Sequence, residues 1–98
     1  MTLEFHYDAG HGWLRVPIGL VERIGSHVSP YSYRDEHYAY LEEDADAQGF
    51  IALYNAGAGV EPLATPIEVD DGDESFIREL ERFSQHGWTM RTYLTRSV

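Results

Sequence analysis

Three stretches of this chain carry residue types that could do chemistry. The first is HYDAGHGW (His6 to Trp13), in which His6, Asp8 and His11 flank a tight turn. A turn can converge such side chains on a metal, or set an imidazole beside a carboxylate for proton transfer. Glycines and an aspartate are also what a turn needs for its backbone, so a structural hairpin is the expectation and a metal or acid–base site its alternative. The second is DADAQGFIALYN (Asp44 to Asn55), which matches a calcium-binding loop at positions 1, 3 and 6 through Asp44, Asp46 and Gly49. Position 12 is Asn55 rather than the bidentate glutamate, and a strand rather than a helix precedes the loop, so a capped helix start is expected instead. The third is the excess of carboxylates. With 17 acids in 98 residues, pairs at a hydrolase's catalytic separation arise by chance, and no pocket signature accompanies them.

The charge distribution says more than its sum. The formal net charge is −10, and every base is arginine. Residues 1–34 balance Glu4, Asp8 and Glu22 against Arg15, Arg23 and Arg34, whereas Asp35 to Ile77 holds twelve acids and no arginine. From Arg82 onward the chain carries three arginines and no acid. A mixed surface suffices for solubility, but a one-sign field of this size repels nucleic acid and membranes and attracts basic surfaces. Direct nucleic-acid binding is therefore not expected. Cysteine is absent, which excludes disulfides, thiol nucleophiles and thiolate metal sites. No cofactor motif occurs, and none is expected.

Hydrophobic residues at 43% and aromatics at 13% indicate a folded domain rather than an acidic tail. Ninety-eight residues suit a single compact domain, residues 1–98, with one modest core. No apolar run approaches the roughly 18 residues of a membrane span, and no signal pattern opens the chain, so a cytoplasmic monomer is expected.

The elements that must position these residues follow from periodicity. TLEFHY (Thr2 to Tyr7) and WLRV (Trp13 to Val16) alternate around DAGHG, which predicts a hairpin. Pro17, the apolar residues Ile18, Leu20, Val21 and Ile24, and Gly25 predict a short helix. PYSY (Pro30 to Tyr33) and YAYLE (Tyr38 to Glu42) predict a second hairpin that gathers Tyr31, Tyr33, Tyr38 and Tyr40. Ala47, Phe50, Ile51, Tyr54 and Ala58 form an amphipathic stripe with Asp44 as N-cap and Gly57 and Gly59 as stops. A short strand is expected at PIEV (Pro66 to Val69). Asp73 is expected to cap a helix bearing Phe76, Ile77, Leu80 and Phe83 up to Gly87, before a last strand at WTMRTYLT (Trp88 to Thr95). The fold class is α+β: an antiparallel sheet of four to five strands with two longer helices on one face and one short helix. The expected core is Leu3, Phe5, Leu14, Val16, Leu20, Ile24, Phe50, Ile51, Phe76, Ile77, Leu80 and Phe83.

The motifs DAGHGWLRVP, SPYSY and AYLEEDADA resemble the signature of short, uncharacterised proteins found on bacterial chromosomes, phages and plasmids, over roughly the first half of the chain. In size, acidity and lack of enzymatic motifs, the chain is also similar to anti-CRISPR proteins, some of which imitate DNA. That likeness implies a non-enzymatic inhibitor whose partner is a basic nucleic-acid-binding protein, a CRISPR effector subunit. Two acid clusters lie beside two expected helix starts, and they exceed what capping can use. The expected contact residues are accordingly Asp35, Glu36, Glu42, Glu43, Asp46, Asp70, Asp71, Asp73 and Glu74, with Tyr31 and Tyr33 adding specificity. The alternatives are a small metal-dependent or hydrolytic enzyme using His6, Asp8 and His11, or an adaptor that binds protein through the tyrosine hairpin.

Overall fold

The computed structural model describes residues 1–58 and 61–83. The chain forms β1 (Glu4–Tyr7), β2 (Gly12–Pro17), α1 (Ile18–Ile24), β3 (Tyr33–Arg34), β4 (Tyr38–Glu42) and α2 (Asp46–Leu53). A π-type turn (Tyr54–Ala58), β5 (Ile67–Asp70), a 3-10 turn (Phe76–Glu79) and β6 (Glu81–Arg82) follow. The class is α+β as expected, with a single sheet in the order β5-β1-β2-β4-β3-β6. Among the described residues it holds six strands rather than four or five and is mixed rather than antiparallel, because β5 returns alongside β1 in the same direction, Phe5 opposite Glu68 and Tyr7 opposite Asp70.

The first hairpin forms where alternation placed it, with Phe5 opposite Leu14 and His6 opposite Trp13. Pro17 enters α1 with its fixed φ, and Gly25 ends it at φ 76°, a left-handed value that costs glycine little. The second hairpin is shorter on its first side than expected. Ser32 N–H bonds back to the Ser29 carbonyl, so residues 29–32 turn instead of extending, and β3 contains only Tyr33 and Arg34. Tyr33 does pair with Tyr40, but Tyr31 projects away at 70% exposure.

Alternation gives the sheet two different faces. Leu3, Leu14, Val16, Ala39 and Leu41 point towards α1 and α2 and pack with Leu20, Val21, Ala47, Phe50 and Tyr54. Trp13 and Tyr40 point the opposite way, under Ile77 of the 3-10 turn. The second helical stripe therefore serves a different purpose from the one its spacing suggested. Ser75, not Asp73, caps it by accepting from Ile77 N–H, and it makes one 3-10 turn before Leu80 returns to extended backbone. One turn can bury one face only: Ile77 is fully buried, while Phe76, expected in the core, is 50% exposed. The two α-helices among the described residues are short, seven and eight residues, so the expected long second helix is absent up to Phe83. Its remainder, to Gly87, and the expected strand Trp88 to Thr95 lie outside the described residues.

Candidate functional site

Five of the acids expected to face a partner or a substrate are used inside the fold. Asp46 is 3% exposed, and its Oδ2 accepts from Ser29 N–H at 2.8 Å, Ser29 Oγ at 2.8 Å and Ser32 Oγ at 2.5 Å. Glu42 takes the capping role expected of Asp44. Its carboxylate accepts from the backbone N–H groups of Asp44, Ala45 and Asp46, the orphan donors of the α2 start. Asp44 stays exposed, and α2 has no capping bond from the residue before it. The match to a calcium loop ends there, because Asp46 turns inward and the helix already runs through Gly49.

Asp35 organises the β3–β4 turn by accepting from His37 N–H, Tyr38 N–H and the Tyr40 hydroxyl. Burial opposes its ionisation, but these three donors outweigh that effect and lower its pKa. Burial and the neighbouring Asp35 together push the Tyr40 phenol above its usual value. Asp71 accepts from Ser75 Oγ and faces His6 Nδ1 at 3.0 Å. Glu4 Oε1 stands 2.9 Å from the other ring nitrogen of His6. Asp8 is held by Arg78 through Nε at 2.6 Å and Nη2 at 2.9 Å, and it also accepts from the backbone of Gly10, His11 and Ser75. The arginine holds its carboxyl far below the ordinary value of 3.8, against the opposing effect of burial.

His6, Asp8 and His11 do not converge on one centre. Both nitrogens of His6 are occupied by carboxylates, Asp8 is saturated by five donors, and exposed His11 leans on Trp13 at a ring separation of 6.1 Å. Ser75, Asp71 and His6 form a chain, but the hydroxyl donates to the carboxylate rather than to the imidazole, so the histidine cannot take its proton. Among the described residues, no group of three or more His, Asp or Glu side chains could hold a metal ion.

The remaining acids do reach the surface. Glu36, Glu43, Asp44, Glu68, Asp70, Asp73 and Glu74 are all exposed. Asp70 accepts from Gly72 N–H, and Glu74 lies in the field of Arg78. Two of these acids, from acid runs well separated in sequence, meet in space. A groove of about 460 Å³ at the turn end of the β1–β2 hairpin is lined by Phe5, Tyr7, Gly10, His11, Glu43 and Glu68, with Asp8 and Ala9. Glu43 arrives from the end of β4, its N–H bonded to the Gly12 carbonyl, and Glu68 arrives from β5 beside Phe5. Gly12 is what lets the groove close underneath: a Cβ there would lie 2.3 Å from Phe5 Cζ and 3.3 Å from Glu43 Oε2.

Tyr7 and Glu68 were not singled out by sequence reasoning, and Phe5 was expected in the core, whereas it is partly buried against the core and lines the groove. The signal that could have found them is the parallel register of β5 on β1, which sets Glu68 beside Phe5. Tyr33 is half-buried between Trp13 and Arg82, so Tyr31 is the free tyrosine of the pair expected to contact a partner. No family model, curated protein or solved structure matches this chain. No helix among the described residues is long and apolar enough to cross a membrane.

Proposed function

We propose that the protein is a non-enzymatic binding protein that presents carboxylates to a basic surface of a nucleic-acid-binding partner, in the manner of a DNA mimic. The observation that supports this most is the meeting of Glu43 and Glu68 at one groove, where acids from two separate runs combine their fields. Carboxylates without cationic partners are attracted to surfaces shaped for phosphates, with association steered by charge. Glu43, Asp44, Glu68, Asp70, Asp73 and Glu36 are the contact residues of this reading. Glu42, Asp35, Asp46 and Asp71 hold the fold. The likeness in type to anti-CRISPR proteins makes a CRISPR effector subunit in a bacterial cytoplasm the partner to test first, with the protein bound as a monomer.

The test is competition. Purified effector complexes of different types are incubated with labelled target duplex and increasing protein, at salt from about 0.05 to 0.5 M. The parent displaces duplex from one effector at low salt and loses that ability as salt rises. The variant Glu43→Gln/Asp44→Asn/Glu68→Gln weakens displacement by about a hundredfold, as expected when two or three close charge pairs are lost. Displacement unaffected by this variant and by salt overturns the reading. Salt-independent binding lost on Tyr31→Ala, at 70% exposure the most accessible aromatic among the described residues, would favour the adaptor alternative.

A further inference from the structure

Two of the arginine–aromatic pairs among the described residues also engage a carboxylate. Arg15 lies over the Tyr38 ring at 4.0 Å and reaches Glu4 at 3.4 Å. Arg78 lies 5.4 Å from the Trp13 ring and is held by Asp8. Guanidinium suits such places because it is flat, weakly hydrated, stacks on a ring face and offers a fork of donors to a carboxylate. The groove at the hairpin end has the same ingredients, with Phe5 and Tyr7 as aromatic wall and Glu43 and Glu68 as carboxylates. Here no described arginine fills it. Arg78, the cation nearest the turn, is committed to Asp8 on the other side of Gly10.

We propose that this groove is a receptor for one arginine side chain of the partner protein. This inference rests on the proposed function, which supplies the partner, and it names the group that the partner inserts. The groove, about 460 Å³ and open to solvent along one side, is large enough to take a guanidinium and its aliphatic stem. Its two carboxylates are not compensated within the described residues, so an entering cation meets a net charge of −2 from Glu43 and Glu68. Aromatic walls favour arginine over lysine, whose compact ammonium keeps its water more strongly. Phosphate and carboxylate ligands are repelled by the same two groups. The site is thus an anchor within a broader acidic surface, the place where one shaped contact would give orientation to an otherwise diffuse attraction.

The experiment uses the isolated full-length chain and a blocked arginine, N-acetyl-arginine amide, as the probe, followed by ¹H–¹⁵N NMR at low salt. Saturable shifts are expected at Tyr7, Gly10, His11, Glu43 and Glu68, with a dissociation constant in the millimolar range. Blocked lysine is expected to bind at least roughly fivefold more weakly. Glu43→Gln/Glu68→Gln, changes at exposed side chains, should weaken arginine by about tenfold while leaving the thermal midpoint unchanged. Shifts scattered over the surface, equal binding of lysine, or arginine binding indifferent to the double variant each overturn the proposal. So does binding that appears only once Arg91 and Arg96 are changed to glutamine, since the chain's own arginine would then be the occupant. If arginine binds as described but no effector is competed from DNA, the partner assignment fails and the receptor stands. If an effector is competed yet arginine does not bind the groove, the receptor alone fails.

Discussion

Replacing Asp46 by alanine should be among the most damaging single changes to an acid in this chain, although the residue sits in a run that reads as surface charge. Three donors converge on its Oδ2, one of them the backbone N–H of Ser29. A hydrogen bond to a charged acceptor contributes about 1.5 to 3 kcal/mol net, and a buried donor left unpaired costs about 1 to 3 kcal/mol. The two serine hydroxyls can rotate towards other acceptors, but the Ser29 amide cannot. The charge also lies at the first residue of α2, where the helix dipole adds about 0.3 to 1 kcal/mol. Together these give a loss of about 3 to 5 kcal/mol for Asp46→Ala, a large part of a total stability of about 5 to 15 kcal/mol. Asp46→Asn keeps one acceptor oxygen and should lose about half as much. Urea unfolding followed by far-UV circular dichroism checks this: with an m-value of about 1.5 kcal/mol/M, the alanine variant unfolds about 2 to 3 M earlier than the parent. Asp44→Ala, two residues away and exposed, should not move the midpoint. If Asp46→Ala unfolds within about 0.3 M of the parent, the inward carboxylate does not hold the 29–32 turn and the reasoning is refuted.

Gly12→Ala places a methyl group against the Phe5 ring; overpacking of this kind costs about 1 to 3 kcal/mol, read by thermal or urea unfolding, and an unchanged midpoint would show that Phe5 swings aside freely. Asp8 gives a pH dependence whose sign is fixed by its lowered pKa. Its contribution to stability is fully present above the unfolded value of about 4 and is lost as pH falls below it, towards the folded value. Asp8→Asn should therefore flatten the decline of stability between about pH 4 and pH 2 relative to the parent, and an identical acid limb in both proteins would contradict the Asp8–Arg78 pairing.

The first hairpin and α1 were legible because each local signal agreed with the final fold: alternation in β1 and β2, Pro17 at entry and Gly25 at exit. The class α+β was legible for the same reason. The parallel β5 was not. PIEV reads as a strand, but nothing local tells which edge a strand joins or in which direction, since that depends on the whole crossover. The segment 76–83 misled in a definite way. Phe76, Ile77, Leu80 and Phe83 have helical spacing, yet Ser75 bonds to Asp71 and Asp8 anchors its backbone. These long-range attachments fix the segment across the second sheet face, where Trp13 and Tyr40 need a cover that a single 3-10 turn supplies through Ile77.

The acid runs show why a candidate surface is only half legible from sequence. Charge per residue is a property of the chain, but availability is decided by which donors the fold leaves unpaired. In this fold the loops between elements are short of their own capping partners, and carboxylates supply them. Glu42 serves the start of α2, Asp35 the β3–β4 turn, Asp46 the turn before β3, Asp71 and Asp8 the approach to the 3-10 turn. A carboxylate used in this way keeps its charge but has its oxygens taken up by donors within the fold, so the groups free to contact a partner directly are a smaller set than the net charge of −10 suggests. That smaller set is not spread evenly, because strand register brings Glu68 and Glu43 to the two sides of one hairpin end. Changing an inward acid should therefore cost stability first and binding only through misfolding, whereas changing Glu43 or Glu68 should cost binding with the fold intact. The separation of those two outcomes in one mutant series distinguishes a designed acidic face from acidity that merely keeps a protein in solution.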